Sequence, residues 1–326
     1  MNRSTDLWRK RNLPTVANRP IRAGSSHLAR RRGYYLLGCS LMLCFPLAIV
    51  LGLVGGVFLA ASQSDRLNVL ILGVDRRPGE TGPVRTDTMI LATFEPNQPQ
   101  AALLSLPRDL WVEIPGQGSN RINTANYFGD LAQPGNGPGL AIQTVTRNLG
   151  PPIHGYVRLD FAGFVALIDA LGGIEVEAPK TLIDDRYPTP DYGITTITIP
   201  AGRQHLDGEL ALIYARTRHA DSDFERTKRQ QQILRALVTK AIQPTTWPRL
   251  PAAWAVVHTF FETDLDEVDL ATIFLAIIRV GPDGLQTYTI EPEMTTPFIT
   301  NSGAQVLLPR WEIIQPLLNE IFRAKT

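Results

Sequence analysis

Ten polar side chains recur in short local settings along this 326-residue chain, and their types suggest a chemistry. Asp75 follows the apolar run LILGV, Arg85 and Asp87 stand in VRTDT, Arg108 in SLPRDL and Arg121 in RINTANYFG. Arg216 and Arg218 occupy ARTRH, and Asp223, Arg226 and Gln230 close the series in DFERTKRQ. Guanidinium groups grip phosphate oxygens two at a time and stay charged at every working pH. Two carboxylates such as Asp75 and Asp87, joined by phosphate oxygens and water, suit Mg²⁺, which takes hard oxygen ligands. An arginine-rich set with two aspartates therefore has the composition of a pyrophosphate site. Its chemistry would be positioning and charge neutralisation in phosphoryl transfer. The sequence holds no G-x-x-x-x-G-K-[ST] phosphate loop and no G-x-S-x-G turn to present a serine nucleophile.

Each of these residues also has a plainer reading. Asp75 and Asp87 could cap turns, Arg85 could pair with Glu80 on the surface, and Asp223 could be a helix-start charge. Asp207 reads as a helix N-cap, and His205 and His219 show no ligand spacing. Order and number lift the charged set above these alternatives, which need a separate explanation for every member.

The elements that must position this set follow from hydrophobic pattern. LNVLILGV, TMILATF and AALLSL are continuous apolar runs of strands buried on both faces, and LWVEI, HGYVRLD, IEVEA and ITTITI are further strand candidates. A helix ending at Gly150 follows the glycine-rich 135–139. Phe161 to Leu171 carries helical spacing at Phe164, Leu167, Ile168 and Leu171, stopped by Gly172-Gly173. A second helix starts after Asp207. A third begins with the capping box Ser222–Glu225 and has Ile233, Leu234 and Leu237 on one face. On it Arg226 and Gln230 lie four apart and share a side. Arg216 and Arg218 would share a side only in an extended segment. Helices at 251–262, 266–280 and 310–323 and a strand near 285–290 complete the tail. Strands alternating with helices predict an α/β or α+β sandwich, a central mixed sheet flanked by helices.

Charge and hydropathy place this body. Residues 1–33 hold nine Lys/Arg against one acid, a basic tail, leaving 23 basic against 30 acidic residues elsewhere. A nucleic-acid-binding domain would carry net positive charge, so nucleic acid is not an expected partner. Tyr34 to Ala61 contains no charged residue over 28 positions, more than the ~20 needed to cross a bilayer as a helix. With basic residues before it, the run predicts a single-pass signal-anchor, the N-terminus cytoplasmic and the body extracytoplasmic. Both cysteines, Cys39 and Cys44, lie in this run, which excludes thiol chemistry and disulfides from the body. Residues 66–242 and 243–326 then form a main domain and a C-terminal extension expected to pack on it.

At the quoted residues the chain resembles the LytR-CpsA-Psr family. The resemblance covers about Asn68 to Ala241 and is carried by seven ordered blocks: NVLILGVD, RTDTMI, SLPRD, RIN-A-YFG, GFVALIDALGGIEV, G-QHLDGELALIYARTRH and DFERTKRQQ. It implies a membrane-anchored phosphotransferase that moves a glycopolymer from a polyprenyl-pyrophosphate carrier onto peptidoglycan. Asp75 and Asp87 then match Mg²⁺-associated aspartates. Arg85, Arg108, Arg121, Arg216, Arg218, Arg226 and Gln230 match pyrophosphate-binding residues, with Asp223 beside them as a candidate base. An apolar tunnel for the lipid is implied as well. A lipid pyrophosphatase, or a non-catalytic sensor of polyprenyl phosphate, would use the same set.

Overall fold

The apolar run at the start of the body is buried because both its faces and both its edges are covered. The computed structural model describes residues 55–57, 59–62, 66–76, 80, 82–96, 100–189, 193–217 and 223–322. In chain order, β1 (Leu67–Val74), β2 (Thr86–Glu95) and β3 (Gln100–Ser105) are followed by a short hairpin, β4 (Trp111–Ile114) and β5 (Gly118–Arg121). Helices α1 (Thr124–Ala132) and α2 (Gly137–Leu149) lead to β6 (Gly155–Asp160) and α3 (Phe161–Leu171). Four strands come next: β7 (Ile174–Ala178), β8 (Leu182–Pro188), β9 (Ile194–Ile199) and β10 (Gly202–Leu206). Then come α4 (Gly208–Arg216), α5 (Asp223–Ile242), α6 (Leu250–Phe260), β11 (Phe261–Thr263) and α7 (Glu267–Gly284). The chain ends with β12 (Leu285–Thr289), β13 (Thr295–Ile299), β14 (Gln305–Pro309) and α8 (Trp311–Phe322).

Six strands form one mixed sheet in the order β11-β6-β1-β2-β3-β12. β1 pairs parallel with β6 and antiparallel with β2, and β12 joins β3 in parallel. Successive side chains of a strand point to opposite faces, and the packing follows that rule. Leu70, Leu72, Leu91 and Leu104 pack with Val145 and Leu149 of α2 and Ile314 and Leu318 of α8. Val69, Ile90 and Leu103 pack on the other face with Leu234 of α5 and Ala276 of α7. Each fully buried leucine is worth about 1.5–3 kcal/mol of removed apolar surface. A separate apolar cluster, from Ile168 of α3 through β7–β10 to Tyr214 of α4 and Ile233 of α5, lies alongside.

Helix ends follow the sequence signals. Asp160 accepts the Gly163 N–H at 2.9 Å to open α3, and Gly172 closes it at φ 81°, where a side chain would be strained. Asp207 opens α4 by accepting the Leu210 N–H at 2.9 Å. Ser222 of the predicted capping box lies outside the described residues. So does most of the predicted membrane span; its members 55–57 and 59–61 are helical. Among the described residues no helix is long and apolar enough to cross a membrane.

Two details differ from the expected organisation. Residues 243–326 contribute both outer strands, β11 and β12, to the main sheet, so the segment expected to pack on the domain completes it. β8 is a full strand that the pattern did not reveal, because Asp184, Asp185 and Arg186 interrupt its apolar alternation.

Candidate active site

Between the sheet face carrying Ile71, Gly73 and Ile90 and the layer made by α3, α4, α5 and β8 lies a cavity of about 350 Å³. Six of the ten residues singled out in the sequence border it: Asp75, Asp87, Arg108, Arg216, Arg226 and Gln230. They come from five places in the chain. Asp75 follows the C-terminal end of β1, and Asp87 is the second residue of β2. Arg108 follows β3, Arg216 ends α4, and Arg226 and Gln230 share one side of the first turns of α5. The rest of the wall is mostly apolar, with Leu159, Phe161, Phe164, Leu212, Ile233 and Leu234 among its members. Charge and hydrocarbon thus line one hollow.

The charged groups hold one another loosely. Arg216 Nη2 lies 3.5 Å from Asp75 Oδ2, and its guanidinium sits 4.2 Å above the Phe161 ring centre, a cation–π contact. Arg108 Nη1 donates to Asp87 Oδ1 at 3.1 Å, with the arginine side chain 24% and the aspartate 42% exposed. Exposed pairs of this kind contribute only about 0–1 kcal/mol, so an anion that offers better geometry can displace a carboxylate. The end of α4 is fixed by a different arginine. Arg229 of α5 is buried, donates through Nε to the Tyr214 carbonyl at 2.9 Å, and also donates to the Thr217 carbonyl. These bonds satisfy carbonyls at a helix end and fix the last residue of α4, Arg216, relative to α5.

Burial raises the Tyr187 phenol above its usual range, and the adjacent Arg216 cation partly opposes that shift. The phenol therefore stays protonated at neutral pH and can donate a hydrogen bond. Among the described residues no group of three or more His, Cys, Asp or Glu is placed to hold a metal. Four aspartates border the cavity, and of these Asp75 and Asp87 offer hard-oxygen donors of the kind that could hold Mg²⁺ with phosphate oxygens and water in its remaining positions.

Two of the sequence-derived residues, Arg85 and Arg121, fall elsewhere. Arg85 is exposed and does not border the cavity, because it lies in the connection just before β2 enters the sheet. Arg121 at the end of β5 donates to the Gln305 carbonyl at 2.8 Å and meets Asp109 at 3.0 Å. Asp109 also pairs with Arg108 at 3.5 Å, so Arg121 reaches the cavity only through that carboxylate. Asp223 is the first residue of α5, and Arg218 lies outside the described residues.

A model of the LytR_cpsA_psr family matches residues 56–315. The chain belongs to this family. It is 36% identical over 213 residues to the polyisoprenyl-teichoic acid–peptidoglycan teichoic acid transferase TagU of Oceanobacillus iheyensis, across 65% of this chain. The match spans 62% of that relative's length. It is also 36% identical over 235 residues to the TagU of Enterococcus faecalis, covering 69% of this chain and 71% of the relative. The crystal structure of Bacillus subtilis TagV superposes with a TM-score of 0.65 at 25% identity, over 80% of this chain and 98% of that one. This LytR_cpsA_psr member thus shares its central mixed sheet and flanking helices with a solved structure.

Sequence reasoning missed several residues of the wall. Asp160, Asp184, Tyr187 and Thr88 all border the cavity. Asp160 could have been found, since it ends the strand-like run HGYVRLD; that strand, β6, lies parallel to β1, so that Asp160 pairs with Val74 beside Asp75. Phe164 both packs against the apolar cluster and lines the hollow, whereas Ile168 and Leu171 of the same helix are buried.

Proposed function

We propose that this chain is a membrane-anchored transferase that moves an envelope glycopolymer from a polyprenyl-pyrophosphate carrier onto a peptidoglycan hydroxyl, forming a phosphodiester. The observation that carries this reading is the single cavity that has arginines and aspartates in one part of its wall and aromatic and aliphatic side chains in the rest. A polyprenyl pyrophosphate has the same division, a dianionic or trianionic head on a hydrocarbon tail. The names of the TagU relatives, teichoic acid transferases acting on polyisoprenyl-linked substrate, support the glycopolymer class.

In this reading Arg108, Arg216 and Arg226 clamp the pyrophosphate and Gln230 adds an amide donor. The acceptor hydroxyl oxygen bonds to the phosphorus that bears the glycopolymer, and the bond from that phosphorus to the bridging oxygen breaks. Polyprenyl phosphate leaves, its new charge held by the guanidiniums. The acceptor's proton passes to a carboxylate, that of Asp223 or of a cavity aspartate; arginine is unsuited because it keeps its proton. Asp75 and Asp87 would hold Mg²⁺, which supplies further neutralisation of the phosphate oxygens. Arg85 and Arg121 would act at the periphery, drawing the anionic head toward the cavity, and Arg218 is kept as a pyrophosphate ligand on the strength of the sequence block ARTRH alone. The uncharged run Tyr34–Ala61 and the basic residues before it support one bilayer span, with the cavity on the extracytoplasmic side.

The test uses the full chain in detergent with lipid-linked oligosaccharide, Mg²⁺ and a peptidoglycan acceptor. Transfer to the acceptor that collapses in Arg108→Ala is the expected result. No transfer by the wild type, or equal transfer by Arg108→Ala, overturns the reading. Release of free oligosaccharyl phosphate would instead identify a pyrophosphatase, and tight binding without turnover a sensor.

A further inference from the structure

Asp75 and Asp87 bracket the connection between β1 and β2, and both ends of that connection lead to one buried cation on the opposite side of the sheet. Arg158 lies in β6 next to Leu159, a cavity residue; consecutive strand residues face opposite ways, so Arg158 points away from the cavity. It is 4% exposed. Its Nη1 donates to Asp130 Oδ2 at 2.8 Å and to Asn126 Oδ1 at 3.1 Å, both on α1. Its Nε donates to Glu262 Oε2 on β11 at 2.9 Å, and Nη2 donates to the same oxygen.

Two of these partners continue to the connection. The other oxygen of Glu262 lies 3.6 Å from Arg76 Nη1, one residue after Asp75. The amide nitrogen of Asn126 donates to the Val84 carbonyl at 2.8 Å, three residues before Asp87. Nearby, the Thr86 N–H donates to the Asn123 carbonyl at 3.3 Å, at the start of the same helix. The planar guanidinium holds its donors in a fixed fork, so partners bound to it keep fixed mutual positions. Two cations, Arg76 and Arg158, balance two carboxylates, Asp130 and Glu262.

We infer that Arg158, acting through Glu262 and Asn126, is a positioning residue that sets the separation of Asp75 and Asp87 across the cavity mouth. The inference rests on the proposed role of those two aspartates. Its experiment has one readout that is independent of that role.

Full-length wild type, Glu262→Gln, Asn126→Ala and Arg158→Lys are compared in detergent. Hydrogen exchange is followed in the ligand-free protein at the amides of residues 74–76 and 82–88. Glu262→Gln is expected to speed exchange at 74–76 and Asn126→Ala at 82–88, with the rest of the sheet and the melting temperature little changed. Arg158→Lys keeps the charge, loses the fork and is expected to loosen both ends. Unchanged exchange at both ends in all folded variants overturns the inference, as does a general rise across the sheet that tracks a lower melting temperature. Glu262 is half exposed, so its variant remains informative if Arg158→Lys does not fold.

The second readout is affinity for geranylgeranyl pyrophosphate with and without Mg²⁺. The gain from Mg²⁺ is expected to fall about 10-fold in Glu262→Gln and to recover partly in Glu262→Asp. A wild type that does not bind the pyrophosphate refutes the proposed function. The exchange data then still decide whether Arg158 fixes the connection.

Discussion

The chain uses arginine in two contrasting ways on the two faces of one sheet. Behind it, Arg158 is buried and its donors are spent on Asp130, Asn126 and Glu262 at 2.8–3.1 Å. In front, Arg108 and Arg216 are partly exposed; Arg108 meets Asp87 at 3.1 Å and Asp109 at 3.5 Å, and Arg216 meets Asp75 at 3.5 Å. A guanidinium saturated by protein has nothing left to offer a phosphate. One that meets partly exposed carboxylates can exchange one of them for a bidentate anion at little cost. The same residue type is thus a fastener where its partners surround it, and where they do not it keeps donors that suit the proposed phosphate clamp.

The largest expected effect separates these two uses by stability. Arg158→Met removes the cation between two carboxylates, one of them buried, and is expected to cost about 3–5 kcal/mol of unfolding free energy in denaturant titration. A loss below about 1 kcal/mol would erase the contrast. Arg216→Gln should do the reverse: glycopolymer transfer falls about 10²–10³-fold in a transfer assay, while the denaturation midpoint barely moves. A matching loss of stability would make Arg216 a fastener too.

The smallest effect is one of pH. Tyr187 is buried beside Arg216 and its phenol is raised, so the folded state holds that proton more tightly than the unfolded one. Its contribution to stability is complete below about pH 10, the unfolded value, and is lost as pH rises through the higher folded value. Stabilities of wild type and Tyr187→Phe measured from pH 8 upward should therefore run parallel and then diverge only above about pH 10, with the phenylalanine variant the more resistant. Divergence at lower pH would mean that the Arg216 cation outweighs burial at this site.

Much of the front face was legible in the sequence. β1 and β2 are apolar on both faces because helices cover both, and that leaves an unbroken run of Leu, Ile and Val. The glycine pair after α3 and the aspartate cap before α4 are local signals, and the structure uses each of them. The charged set could be assembled by residue type, and six of its members meet at the cavity. What could not be read was long-range. Arg121 turns toward Asp109 and Gln305, the latter 184 residues away in sequence. β8 hides behind its own charges and a register shift between Asp184 and Tyr187, so Tyr187 went unnoticed. Arg158 resembles any polar residue in a half-buried strand until Glu262, 104 positions later, is brought beside it.

The order of strands across the sheet has a consequence for biogenesis. Both outer positions are filled by segments after residue 260, while the four inner strands are finished by residue 160. A polypeptide emerging N-terminus first therefore carries two open hydrogen-bonding borders, on β6 and on β3, until its last quarter arrives. Exposed borders recruit other chains, and parallel partners so distant in sequence pair slowly. The late-arriving segments act as a built-in closure, and a product stopped before them would be prone to self-association.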